Sequence, residues 1–131
     1  MTGTIRVTGS TPQEQVMIVP DQAGMAAVEV RGEWRSELIR LEGARVEVGG
    51  TPAAPGHFEA QRYKILEIAG YEPVVGILES AADRLTVRTP AGDAVAVGEA
   101  PADLRAQVGA KVWVILDENG AVQGYGVLRE P

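Results

Sequence analysis

One twelve-residue stretch of this sequence returns, in a recognisable form, later in the chain. Residues 37–48 read ELIRLEGARVEV and residues 103–114 read DLRAQVGAKVWV. Both begin with an acidic residue and Leu, and both end in Gly-Ala, a basic residue, Val, any residue and Val, at a constant offset of 66 residues. Such self-similarity indicates a repeated structural unit, and it constrains the fold more than any other feature of the chain.

A second match lies near the end of each half. QRYKIL at 61–66 resembles QGYGVL at 123–128, with Tyr63 and Tyr125 aligned at an offset of 62 residues. The change in offset falls in the connection between the motifs, which is four residues longer in the first half. Two matches that differ only in one connection predict an internal duplication of a small β unit. Both tyrosines are expected in the core, with their hydroxyl groups at the rim of the unit.

Each half shows the same order of local patterns. Three short runs rich in Val and Ile come first, then a segment that does not alternate and ends at Gly43 or Gly109, and then two further runs. The glycines are expected to end one or two helical turns, and Asn119 followed by Gly120 predicts a tight hairpin turn. Strands are predicted at 3–8, 14–20, 25–31, 44–49 and 57–68, and at 74–80, 84–89, 93–98, 110–116 and 121–129.

Three strands, a helical turn and two strands resemble the order of the OB-fold, a five-stranded, partly open barrel. The L-x4-GA-[RK]-V-x-V pattern carries the resemblance, which covers most of the chain. It implies an all-β protein of two tandem five-stranded OB-like barrels, 1–70 and 71–131, related by duplication and each with a short helical turn before strand 4. An SH3-like barrel is the alternative, in which the helical turn lies between the fourth and fifth strands.

Composition limits the classes of partner. The net charge is −6, only two lysines occur and no basic run is present, so the surface is expected to repel a phosphate backbone. Binding to nucleic acid is therefore not expected. The chain has no Cys, which excludes disulfides and thiolate metal sites. No apolar run approaches the ~20 residues of a membrane-spanning helix.

The N-terminal stretch MTGTIRVTG has neither a charged leader nor an apolar signal core. Two compartments stay open. One is the cytoplasm, and the other is export as part of a surface-exposed, bacterial-type protein whose signal segment precedes this sequence. The oligomeric state stays open as well.

No arrangement typical of an active site is visible in the sequence. His57 is the one histidine and lies in the Pro/Gly-rich stretch GGTPAAPGHF, so it is interpreted as an exposed loop residue without a partner. The serines have no nucleophile-elbow context, and the glycine pairs lack the Lys and Ser/Thr of a phosphate loop. We expect a noncatalytic protein without a cofactor or a metal site.

Four residues form a candidate patch for a partner or for contact between the units. Trp113 takes the place of Glu47 in the repeat and is expected to point outward beside Ile115, which would expose an apolar surface. One hypothesis is that the two residues pack against the first unit or against Tyr71 in the connecting stretch. The other is that they bind a partner. Trp34, just before the first helical turn, is interpreted as a plug over one end of its barrel.

OB-like barrels that bind single strands carry stacking aromatics on strands 2 and 3. Here those strands contain none, since they read EQVMIVP, MAAVEV, RLTVRT and DAVAV. The sequence therefore predicts a noncatalytic, acidic binding or interaction module whose ligand is a protein, a peptide or a small molecule. The alternative is an OB-fold protein that binds single-stranded nucleic acid, and both the charge and the aromatic-free strands argue against it.

Overall fold

The computed structural model describes residues 1–10 and 12–131 of the chain. The described residues form ten strands and helical segments of four residues or fewer, which confirms the predicted all-β class. They divide into two compact units, Met1–Gly70 and Tyr71–Pro131, with five strands each. No helix among the described residues is long and apolar enough to cross a bilayer.

The first unit contains five strands and one short helical segment. Its elements are β1 (Thr2–Thr8), β2 (Gln15–Pro20), β3 (Val28–Arg31), α1 (Arg35–Leu38), a 3₁₀ turn (Ile39–Leu41), β4 (Arg45–Pro52) and β5 (His57–Glu67). The strands close into a barrel in the order β1-β2-β3-β5-β4. All neighbours are antiparallel except β3 and β5, which are parallel. The helical segment lies between the third and fourth strands, where the sequence pattern predicts it.

The core of this barrel follows from alternation along its strands. Inward positions carry apolar side chains, and most outward positions carry polar ones, with Met17 and Val19 of β2 as exceptions. This is the period-two pattern of a half-buried strand. Leu38 of α1 and Leu41 of the 3₁₀ turn are also buried, so the helical segment belongs to the same core. Burial of each large aliphatic side chain contributes about 1.5–3 kcal/mol. The buried hydrophobic residues of the strands are Ile5, Val16, Ile18, Val30, Val46, Val48, Phe58, Ala60 and Ile65.

The long pair of β4 and β5 contains a bulge. Gly50 is paired with Ala60 and Gly49 with Arg62, so Gln61 is left without a partner. An added Cβ at Gly50 would collide with a backbone carbonyl of β5, and this close approach requires glycine. The extra residue also changes which positions of β5 face the core, so that buried residues are even-numbered before it and odd-numbered after it.

The second unit contains β6 (Val74–Ala81), β7 (Arg84–Arg88), β8 (Ala94–Val97), α2 (Ala102–Arg105), β9 (Lys111–Leu116) and β10 (Val122–Arg129). Its strands form one antiparallel sheet in the order β10-β9-β6-β7-β8. This is the order of the first unit, opened between the third and fifth strands. Its buried core consists of Leu78, Val87, Val97, Leu104, Ala110, Val112 and Val114.

The second sheet is open at one place, unlike the closed barrel of the first unit. Between β8 and β10 there is no ladder in this fully described unit. Two backbone hydrogen bonds join the strand ends instead, from Gly98 N–H to Gly120 C=O at 2.8 Å and from Val122 N–H to Glu99 C=O at 2.9 Å. The reason is the short connection at 117–121, which folds into a turn. The repeat aligns residues 119–121 with the start of β5, which closes the first barrel by pairing with β3. In the second unit these counterpart residues belong to the turn instead.

The glycine after each helical segment makes the same backbone contact in both units. Gly43 and Gly109 have φ angles of 86° and 96°, a conformation that favours glycine. The Gly43 N–H donates to the Ile5 carbonyl at 2.8 Å, and the Gly109 N–H donates to the Leu78 carbonyl at 2.8 Å. Each glycine therefore ties the turn after the helical segment to the first strand of its own unit.

The two aligned tyrosines have equivalent strand partners. Tyr63 is paired with Val48 across β4 and β5, and Tyr125 is paired with Val114 across β9 and β10. Both tyrosines are half-buried. The alignment of the sequence motifs thus coincides with the strand register in each unit.

Candidate functional site

A polar cluster lies on the outer surface of the first barrel, where β3 and β5 run side by side. Their parallel register places His57 opposite Glu29. His57 Nδ1 lies 3.3 Å from Glu29 Oε1, and Arg31 Nη2 lies 3.5 Å from His57 Nε2. Arg31 Nη2 is also 3.9 Å from Glu29 Oε1. These three side chains form one group, which we call the β3–β5 cluster.

The loop between β4 and β5 brings His57 to this position. It is closed by a hydrogen bond from the His57 N–H to the Ala54 carbonyl at 2.9 Å, and the Gly56 carbonyl accepts from the Glu29 N–H at 2.8 Å. This loop lies in the connection that is four residues longer than its counterpart in the second half. The extra length allows β5 to begin beside β3, so the cluster depends on the longer connection of the first half.

The imidazole of His57 is the least satisfied group of the cluster. Its Nδ1 is buried, and among the described residues it has no partner with hydrogen-bond geometry, although the Glu29 carboxylate lies 3.3 Å away. Arg31 is the most open member, with 53% of its side chain exposed. A buried polar atom without a hydrogen bond is costly. A small movement that brings Glu29 and His57 into hydrogen-bond geometry would remove this cost.

The interpretation of His57 as an exposed loop residue without a partner is wrong. His57 is the first residue of β5 and is half-buried, and it contacts both Glu29 and Arg31. The error has a physical cause. The parallel pairing joins residues that are 28 positions apart in the sequence, and no local pattern shows such a pairing.

Strand β2 adds apolar side chains beside the β3–β5 cluster. Met17 is paired with Glu29 across β2 and β3, and it is half-buried. Val19 lies on the same side of β2 by alternation, and 43% of it is exposed. The surface thus combines two aliphatic side chains with a carboxylate, a guanidinium group and an imidazole. We call Met17, Val19 and the β3–β5 cluster together the outer face.

Trp34 packs against the side chain of Tyr63 in the first unit. The two rings meet edge to face, with centroids 5.6 Å apart and an interplanar angle of 68°. The Trp34 Nε1–H donates to the Gln61 carbonyl at 2.9 Å. The Tyr63 hydroxyl donates to Glu37 Oε1 at 2.6 Å, and Glu37 is only 4% exposed. Trp34 is thus fixed on two sides by β5, beside the buried carboxylate of α1.

Trp113 lies over two glycines of the neighbouring strand. It is half-buried and is paired with Gly126 across β9 and β10. An added Cβ at Gly126 would collide with the indole Nε1, and one at Gly124 would lie 3.7 Å from Cζ3. The glycines of QGYGVL therefore make room for the indole. From the sequence, Gly124 and Gly126 only failed the pattern of a phosphate loop, and their role beside the indole was missed.

Ile115 is covered, whereas alternation predicts an exposed side chain next to Trp113. Leu116 packs on the core of the second unit, so Ile115 points to the opposite face, yet only 6% of it is exposed. Tyr71 is the open member of the candidate patch, with 57% exposed. Whether Trp113, Ile115, Tyr71 and Trp34 serve a partner or contact between units stays a prediction.

No family model, curated protein or solved structure matches the chain. Within the described residues, no three His, Asp or Glu side chains are grouped closely enough to hold a metal ion.

Proposed function

We propose that the chain is a noncatalytic binding module made of two OB-like units that arose by internal duplication. The OB resemblance is supported by the strand order β1-β2-β3-β5-β4, the parallel pairing of β3 with β5, and the helical segment between the third and fourth strands. An SH3-like barrel would have that segment one strand later. The duplication is supported by the shared strand order and by the equivalent hydrogen bonds of Gly43 and Gly109.

The proposed binding surface is the outer face of the first unit, and the proposed ligand is a peptide or a segment of a protein. One observation carries this proposal: the β3–β5 cluster lies directly beside the half-buried Met17, and the exposed Val19 follows on the same side of β2. Protein-binding surfaces combine apolar contacts with hydrogen-bonding groups in this way. The outside of a closed barrel is convex, whereas sites for small molecules are usually concave, which favours a peptide over a small molecule at this face.

The nucleic-acid alternative has less support. Single-strand binding uses aromatic side chains that stack on the bases, together with basic groups that follow the backbone. The outward side chains of β2 and β3 are aliphatic, charged or amide groups, and Phe58 of β5 is buried. The net charge of −6 adds an unfavourable long-range term for a polyanion.

Selection from a random-peptide display library tests the proposal. Peptides are selected on the wild-type protein and then titrated against the double variant Met17→Ala/Arg31→Ala. The double variant should bind them at least about tenfold more weakly, because it loses one apolar contact and one charge-assisted hydrogen bond. Arg88→Ala is the matched control. Arg88 also pairs with a glutamate, and its side chain is 51% exposed against 53% for Arg31.

The control must retain the wild-type affinity. Peptides that bind the double variant as tightly as the wild type would show that the outer face is not the binding surface. A selection that yields no binding peptide would contradict the proposed ligand class.

A further inference from the structure

A concave site in the second unit has no part in the binding surface proposed above. Its volume is about 410 Å³, and it lies between the β6–β7 turn, the end of β8 and the residues around α2. We call it the arginine cavity. The residues that matter for its chemistry are Asp83, Arg84, Leu85, Val97, Arg105 and Val108.

Two arginines that line this cavity have no side-chain partner among the described residues. Arg88 pairs with Glu79 at 2.9 Å, and two further basic residues of the unit have interactions of their own. Arg84 and Arg105 have no side-chain hydrogen bond or ion pair to a described residue, and both line the same cavity. The basic residues of the second unit are Arg84, Arg88, Arg105, Lys111 and Arg129.

The charge of the unit makes this arrangement unusual. The second half contains five basic and nine acidic residues, so carboxylates are abundant, and yet both unpaired arginines face one cavity. A guanidinium group presents a planar set of N–H donors that fits the oxygens of a carboxylate or a phosphate. We propose that the arginine cavity binds a small organic molecule through an oxyanion group, held by Arg84 and Arg105.

The remaining lining supplies an apolar side to the cavity. Leu85 is half-buried, Val97 is buried, and Val108 is 42% exposed. A site that contained only charged groups would suit an inorganic ion. The aliphatic side chains instead favour a ligand with an apolar body attached to the oxyanion, because that body removes exposed apolar surface from water.

Asp83 is the one acidic group among these six residues, and it limits the affinity for an anion. It lies in the β6–β7 turn with a φ angle of 65°, a conformation that Asn adopts as readily as Asp. Replacement by Asn should therefore preserve the turn and remove a negative charge from the cavity. The expected result is tighter binding of an anion, which no loss of structure could produce.

Phenyl phosphate, benzoate and inorganic phosphate are the probes, each titrated into the protein at low ionic strength and followed by amide chemical shifts. The two aromatic anions should shift the signals of residues 83–85, 105 and 108 and should bind more tightly than inorganic phosphate. Arg84→Ala and Arg105→Ala should each weaken binding about tenfold. Arg88→Ala, which removes a paired arginine outside this cavity, should change the affinity less than about twofold.

The outcomes either identify the oxyanion group of the ligand or overturn the proposed site. Tighter binding of phenyl phosphate than of benzoate assigns a phosphate group to the ligand, and the reverse order assigns a carboxylate. The proposal is overturned if no probe binds at millimolar concentration, or if Arg88→Ala weakens binding as much as Arg84→Ala. It is also overturned if Asp83→Asn weakens binding. None of these results bears on the outer face, which lies in the other unit.

Discussion

Tyr63→Phe removes one hydroxyl group from the first barrel and is expected to destabilise that unit. The hydroxyl donates to Glu37 Oε1 at 2.6 Å, and Glu37 is 4% exposed. A short hydrogen bond to a buried carboxylate is charge-assisted, and its loss costs about 1.5–3 kcal/mol of unfolding free energy. Phe keeps the ring that contacts Trp34, so the loss is confined to the hydrogen bond.

The repeat provides a matched control in Tyr125→Phe. Tyr125 has the equivalent strand partner in the second unit and is also half-buried. The acid aligned with Glu37 is Asp103, which is exposed, and the Tyr125 hydroxyl has no hydrogen bond to a described residue. Its removal should change the unfolding free energy by less than about 0.5 kcal/mol.

Thermal unfolding followed by NMR separates the two units, because each contains one tryptophan whose indole N–H signal can be observed. In Tyr63→Phe, the midpoint reported by Trp34 should fall by about 6–24 °C. In Tyr125→Phe, the midpoint reported by Trp113 should fall by less than about 4 °C. Equal, small changes in the two variants would refute the stabilising role of the Tyr63–Glu37 hydrogen bond.

Three further predictions concern the second unit and the excluded ligand. Gly126→Ala should destabilise the second unit by about 1–3 kcal/mol in urea unfolding, because the added Cβ collides with the Trp113 indole, whereas Gly124→Ala should be nearly neutral. Trp113→Ala should lower the melting midpoint of the purified protein if the half-buried indole has a structural role. The expected loss of unfolding free energy is roughly half of the ~3–5 kcal/mol that removal of a fully buried aromatic side chain costs. An unchanged midpoint would favour partner binding at Trp113. A fluorescently labelled oligothymidylate should show no change in anisotropy at low salt, and micromolar binding would restore the nucleic-acid alternative.

Features that depend on local patterns could be predicted from the sequence. The bounds of β6, 74–81, and of β9, 111–116, differ from the predicted strands by one residue, because alternation and flanking turn residues fix both ends. Gly43 and Gly109 each end the turn that follows a helical segment, with positive φ angles, since a left-handed residue at such a position is usually glycine. The largest deviations are in β3, which begins at Val28 and not at residue 25, and in β4, which ends at Pro52 and not at residue 49.

Features that depend on distant pairing could not be predicted. The contact of His57 with Glu29 follows from the parallel register of two strands that are separated by β4. The second sheet is open because the residues at 117–121 form a turn and do not extend a ladder between β8 and β10. Ile115 is buried because other residues pack around its side chain on the outer side of the sheet. Each of these depends on which segments meet in space, and periodicity carries no information about that.

Chemical-shift mapping with one selected peptide and isotope-labelled protein is the most direct test of the proposed binding surface. The account predicts that the largest amide shifts fall on Met17, Val19, Glu29, Arg31 and His57, within the first unit. Saturating peptide should also sharpen the His57 ring signals, as the imidazole and the Glu29 carboxylate reach hydrogen-bond geometry. Shifts concentrated on the second unit, with these five residues unchanged, would contradict the account.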